Sequence, residues 1–286
     1  MKRPDPAVLL LTPALLLTGV VFLAPFGLLV ATGFWSQPKG SLIVERSFTL
    51  DNYVRIAADL YYWRGLGRTL GLSAATTILC LLIGFPVAQW LVRRARRTRA
   101  LVTALILVPL VCGALLPTLG LVNILGTLGV LNGTLKALGL IDRSIPFLGN
   151  DSGILIGLVQ SFLPLMILPL ATVLDRLPVS LEEAAMSLGA TRPKVWRRVI
   201  LPLAAPGMLA GALLVFCAAL TSFVTPQILG QGKVATFATI AYQQAALVLD
   251  WPFASALAVV MLALIGAAGL LVALGRRALL AAERAP

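Results

Sequence analysis

Apolar runs of about twenty residues recur along this chain, and a run of that length is what a helix needs to cross a bilayer. They fall at about 8–34, 68–91, 100–119, 153–174, 204–224 and 253–275. In hydrocarbon the backbone must satisfy its own hydrogen bonds, so such runs can only be helices. Charged residues make up 12% of the chain and hydrophobic ones 59%, whereas a soluble domain carries about 25% charged residues. The expectation is an all-α membrane protein of six transmembrane helices, one transmembrane domain over 1–286 with no soluble domain attached. Pro86, Pro109, Pro117, Pro164 and Pro169 lie inside the runs. They predict bent helices around a cavity, where neighbours or water meet the freed backbone groups. The first run follows Lys2 and Arg3, as in a signal peptide, but it exceeds the roughly 7–15 residues of such a core, so it is expected to stay as a span.

The segment 120–141 is long enough to be a seventh span. It carries five glycines, two asparagines and a lysine, which read better as interfacial helix and turn. Charge parity supports that choice. With six spans and the N-terminus inside, fifteen of the 23 basic residues fall on the cytoplasmic side. They are Lys2, Arg3, the five arginines at 93–99, Arg176, Arg192, Lys194, Arg197, Arg198, Arg276, Arg277 and Arg284. A seventh span would put the later clusters outside, against the positive-inside rule. Both termini are therefore expected in the cytoplasm, and the net charge of +12 is read mainly as an orientation signal, with phospholipid contact as a by-product.

The composition excludes much chemistry. There is no histidine, so Ser-His-Asp and Cys-His catalysis and His-rich metal sites are ruled out. Cys80, Cys112 and Cys217 lie within apolar runs and lack metal-ligand spacing. All eleven acidic residues sit at span ends or in loops, whereas an ion-coupled carrier keeps an ionisable group within the membrane. There is no G-x-x-x-x-G-K-[ST] loop, so the chain is not expected to hydrolyse nucleotide. The polar residues left inside the runs are neutral. Such side chains ordinarily bond between helices. The other reading is a polar pathway wall, for which Gln160, Ser161, Thr221 and Ser222 are the candidates by their depth.

The polar stretch 176–203 stands out between the fourth and fifth runs. Ser180-x-x-Glu183 has the form of a capping box, predicting a helix from Leu181. Ala184 and Ala185 favour helix with little bulk, and Gly189 is a natural stop. Thr191 and Pro193 open a second helix that leads into the fifth run. A two-turn helix is unstable alone in water. The residues leave two readings open: a hairpin that merely joins two spans, or a short helix pressed into a groove on a soluble partner.

Glu183-Ala184-Ala185-x-x-x-Gly189, then nine residues, then Val199-x-Leu201-Pro202, closely resembles the EAA loop of bacterial ABC importer membrane subunits, with valine at 199 where isoleucine is usual. Phe48 to Tyr53, Gly84 to Ala88, Val108-Pro109 and Asp250 to Phe253 resemble the spermidine/putrescine-type branch, and within it the first of its two permeases. The resemblance implies a type I ABC importer permease of the bacterial inner membrane. It implies a coupling helix that docks on a separate ATPase, through Glu182, Glu183, Ala184, Ala185, Ser187, Leu188, Gly189, Ala190 and Arg197. The implied partners are an ATPase pair carrying ATP and magnesium, a second permease or a second copy, and an extracytoplasmic substrate-binding protein. No cofactor is expected on this chain. The implied cargo is a small organic solute, polyamine-like or related. Pro117 and Leu119 stand where that branch carries an arginine and an aromatic residue, so the cargo is not carried over. The rival from another class is an ATP-independent channel or carrier with a cytoplasmic scaffold loop.

Overall fold

Long apolar sequence gives long helices even with prolines inside them, and the computed structural model is built of them. It describes residues 6–38, 41, 43–178 and 180–282, with side chains described from 11 to 274 within those bounds. Lys2, Arg3, Val179 and Arg284, and the side chains of Arg276 and Arg277, lie outside the described residues, so their part in the charge pattern rests on sequence. Among the described residues β structure is confined to a single bridge between Ser36 and Glu45.

The helices in chain order are α1 (Pro6–Gly33), α2 (Asp51–Ala58), α3 (Leu60–Val92), α4 (Arg96–Val111), α5 (Leu115–Leu125), α6 (Val130–Ala137), α7 (Asp151–Leu174), α8 (Ser180–Ser187), α9 (Arg192–Val195), α10 (Leu201–Thr221), α11 (Val224–Leu229), α12 (Phe237–Gln243) and α13 (Trp251–Ala282). A π-helical turn, Trp196–Ile200, joins α9 to α10, and a second, Gln244–Val248, follows α12. Six stretches are long and apolar enough to cross a membrane, as expected.

The second begins at Leu60, eight residues before its expected start at 68, and two others depart further from the expected bounds. The run at 100–119 is not one helix. Its helix stops at Val111, Gly113 turns with φ +70°, and α5 begins at Leu115. The third span-length stretch is instead Leu115–Ala137, which takes in most of the segment read as interfacial, with its own break at Gly126–Gly129 between α5 and α6. The run at 204–224 is also shifted. Helix continues unbroken from Arg192 and ends at Thr221, because Ser222 adopts extended backbone (φ −66°, ψ 124°). Ser222 therefore sits at a helix break and not within a helix.

The chain forms two compact units. The first comprises 1–64 and 240–264. Here Asn52 Nδ2 donates to the carbonyls of Gly33 and Trp35 at 3.0 and 2.9 Å, closing the end of α1. Gln37 ties the 41 and 249 carbonyls and accepts from the Trp251 amide. Arg55 pairs with Asp250 at 3.3 Å and lies 4.0 Å from the centre of the Phe253 ring. Asp250 also caps α13 by accepting from the Phe253 amide. The two motifs 48–53 and 250–253 are thus a brace for the ends of α1 and α13.

The second unit comprises 65–239 and 265–286. Asn150 caps α7 by accepting from the Gly153 amide, as an Asx cap should. Helices α7 and α10 pack closely because glycines face the contact: a Cβ on Gly211 would lie 3.2 Å from the Met166 carbonyl oxygen, and one on Gly207 3.1 Å from that of Pro169. Phe85, Leu91, Met166, Leu170 and Ala204 form one buried cluster at the end of the unit where α3, α7 and α10 reach the 176–203 loop.

Candidate functional site

The stretch 176–203 is a helix, a tight turn and a second helical segment that runs into α10. Helix α8 includes Ser180 itself, one residue earlier than its capping-box pattern suggests, and the Pro178 carbonyl accepts from the Leu181 amide. The C-terminal end follows the expected stop closely. Gly189 has φ +81°. Its amide donates to Met186 O at 2.9 Å, and the Ala190 amide reaches back to Ala185 O at 3.1 Å. That pair of bonds is a Schellman end, which needs a left-handed residue where glycine stands. Thr191 takes extended backbone before α9, but its hydroxyl makes no cap; its carbonyl accepts from Lys194 and Val195 instead.

Helix α8 has two faces. Leu181, Ala184, Ser187 and Leu188 are exposed, Leu188 at 89%. On the other side Glu182, Glu183 and Met186 line a hollow of about 720 Å³, shared with Gln89 of α3, with Arg93 just past its end, and with Arg192, Val195, Trp196, Arg197 and Ile200. Arg93 Nη2 lies 2.6 Å from both carboxylate oxygens of Glu182. The Trp196 indole donates to Gln89 Oε1 at 3.1 Å and its ring meets Phe85 edge-on at 5.3 Å. At the loop's start, Arg99 and Asp175 form two parallel hydrogen bonds of 2.6 and 2.9 Å. Those bonds hold the Asp175 carboxyl below the usual carboxylate range.

The nine loop residues expected from sequence are therefore close together, but they do not share a face. Ala184, Ser187, Leu188 and Gly189 point outward with Leu181, a residue outside the expected set. Glu182 is engaged by Arg93, while Glu183 and Arg197 border the hollow. Ala185 and Ala190 are half-buried. Phe85, Gln89 and Arg93 were not in the expected set. They recur every four residues at the end of α3 and one residue past it, a spacing that lines up residues on one helix face and a signal present in the sequence.

The four candidate pathway residues are less unified. Gln160 and Thr221 are exposed, Ser161 is 7% exposed, and Ser222 is half-buried. Thr221 donates to Cys217 and Ala218 carbonyls in its own helix. Ser161 Oγ is buried without a partner, as are Ser73 Oγ and Thr76 Oγ1. Among the described residues no hydrogen bond joins the 160–161 pair to the 221–222 pair. The break at Ser222 is informative, because irregular backbone at membrane depth persists only inside protein or along a polar cavity.

Comparison with known proteins places this architecture. The family described as "Binding-protein-dependent transport system inner membrane component" matches residues 80–280. The chain is 35% identical over 246 residues to the spermidine/putrescine transport system permease protein PotB of Escherichia coli (strain K12), covering 86% of this chain and 88% of the relative. It is 34% identical over 251 residues to PotB of Haemophilus influenzae, covering 87% of each. A molybdenum transport system permease protein, ModB of Mycobacterium bovis, is 37% identical over 154 residues, about half of each chain (53% and 55%). In fold, the chain resembles a subunit of a bacterial ABC transporter involved in the import of the acidic polysaccharide alginate, with a TM-score of 0.73, 18% identity, and coverage of 93% and 96%. The same resemblance, at 0.73, holds for that transporter in complex with an alginate pentasaccharide-bound periplasmic protein. With a family match over most of its length and six span-length apolar helices, the chain belongs to the binding-protein-dependent inner membrane components, the multi-pass permease subunits of bacterial ABC importers.

Proposed function

We propose that this permease forms half of a translocation pathway for a small organic solute and that α8 is the coupling helix through which a separate ATPase drives it. The carrying observation is the exposed face Leu181–Ala184–Leu188, ended by Gly189 on a Schellman turn. A helix of eight residues presents leucine to solvent only at a cost, and that cost is recovered when a groove covers it. Both termini and the loop 176–203 lie in the cytoplasm, and the whole chain 1–286 acts as one permease. It pairs with a second permease or a second copy. An extracytoplasmic binding protein delivers the solute, as the periplasmic protein in the alginate complex suggests by analogy of fold. ATP and magnesium are held by the ATPase. Polyamine cargo is suggested by the PotB relatives. Gln160, Ser161 and the Ser222 break are the proposed polar points of the pathway.

The test is ATPase co-purification together with uptake in cells. Glu183→Ala and Gly189→Arg should each lower ATPase capture and uptake together. If both leave transport unchanged, the coupling assignment is wrong and a channel or carrier with a scaffold loop takes its place.

A further inference from the structure

We propose that the basic elbow where α9 turns into α10 holds the phosphate headgroup of an anionic phospholipid, with an acyl chain against the apolar wall beside it. This rests on the assignment of loop 176–203 to the cytoplasmic side. A second hollow, of about 520 Å³, is lined by Thr191, Pro193, Lys194, Arg197 and Arg198. It shares Pro193 and Arg197 with the larger hollow beside α8. Three exposed cations thus border one concavity, and no acidic residue lines it. Among the described residues none of the three forms an ion pair; Arg55, Arg68, Arg93 and Arg99 are the paired arginines. Three like charges held together without a counter-charge repel one another, and a phosphate relieves that repulsion.

Position selects a lipid as the source of the phosphate. The helical run from Arg192 to Thr221 is continuous and long and apolar enough to cross a membrane. Arg197 precedes Leu201 by four residues, roughly 6 Å along the helix axis. That is headgroup depth for a side chain able to reach the interface. The adjoining hollow supplies an apolar wall of Met186, Val195, Trp196 and Ile200 opposite the Arg93–Glu182 pair and Glu183, and Leu203, 42% exposed, continues the surface up the span. Inorganic phosphate would fill the cations and leave that wall bare. Occupancy would tie the composition of the leaflet to the hinge of the coupling loop.

The experiment counts lipid bound to the full-length permease by native mass spectrometry, titrating phosphatidylglycerol against a phosphatidylcholine background. The variant Lys194→Ala/Arg197→Ala/Arg198→Ala should lose affinity for the tightest-bound phosphatidylglycerol on the order of a hundredfold, at about fivefold per surface cation. The charge-preserving variant Lys194→Arg/Arg197→Lys/Arg198→Lys should retain it, which separates lipid loss from misfolding. Arg94→Ala/Arg96→Ala/Arg97→Ala removes the same charge from another turn and should leave this site intact. Equal loss in that variant would mean diffuse attraction and overturn the proposal. Displacement of the lipid by millimolar inorganic phosphate would assign the hollow to free phosphate. Unchanged lipid with lost ATPase capture in the first variant would assign it to an acidic protein surface. ATPase capture by the parent chain is scored separately, so failure of the lipid site leaves the coupling assignment standing.

Discussion

Gly189 illustrates how one residue can set where a helix ends. Its φ of +81° costs an L side chain about 1–2 kcal/mol, yet a Cβ there would meet nothing within 4 Å. Conformation is the constraint, and space is not. Gly189→Asn, which tolerates the left-handed region, should therefore keep most ATPase capture, while Gly189→Val should lose about tenfold, equivalent to 1.4 kcal/mol. A pull-down of both variants checks this; equal behaviour would mean that the turn does not set the helix end. Asp175 makes a different prediction. Arg99 holds its carboxyl low, so the stabilisation is complete above the ordinary carboxylate range and is lost as pH falls through the lowered folded value. The Tm difference between the parent and Asp175→Asn should shrink toward zero from about pH 7 to about pH 2. A difference that stays constant over that range would show that the charge is irrelevant.

Between elements, α7 and α10 approach closely at Gly207 and Gly211. Gly211→Leu would force a side chain into the Met166 backbone, and overpacking of that kind costs about 1–3 kcal/mol. Gly266, whose Cβ would meet nothing within 4 Å, should accept leucine with little change in Tm. Similar losses at both positions would argue against a close α7–α10 contact. Trp196 links the loop to α3 by two contacts of different kinds. Trp196→Phe keeps a ring against Phe85 but removes the donor to Gln89, and should cost about 1 kcal/mol. Gln89→Leu should cost no more once Trp196→Phe is present, and a double-mutant cycle on Tm measures that coupling. The π-helical turn at Trp196–Ile200 lies at this junction. Such turns recur at functional positions, consistent with a hinge between the loop and α10.

For the molecule as a whole, the prediction concerns sidedness. In a background with Cys80, Cys112 and Cys217 replaced by serine, Ser187→Cys on α8 and Arg143→Cys beyond α6 should label from opposite faces of the membrane. Ser187→Cys should react from the cytoplasmic face. Labelling of both from one face would break the count of crossings between α6 and α8. The helices themselves were readable from composition and spacing, since each depends on bonds between residues four apart. The end of α8 was equally readable, because a glycine stop is a local device. Two span positions were misread for a related reason. Gly113 and Ser222 break helices by backbone conformation inside apolar sequence, where hydropathy registers nothing.

The faces of the loop lay beyond such reading. Glu182 and Glu183 are adjacent in sequence and equal in chemistry, yet Arg93, 89 residues away, takes Glu182. Trp196 finds Gln89 across 107 residues. No local periodicity encodes either pairing. Amino-acid order was enough for membrane class, the number of span-length helices and the helix-turn-helix of the polar loop, because burial of apolar runs and helix capping are short-range effects. Which loop side chains are held by the chain and which stay exposed was settled only by the packing of α3, α8 and α9, because those contacts join segments that nothing but folding brings together.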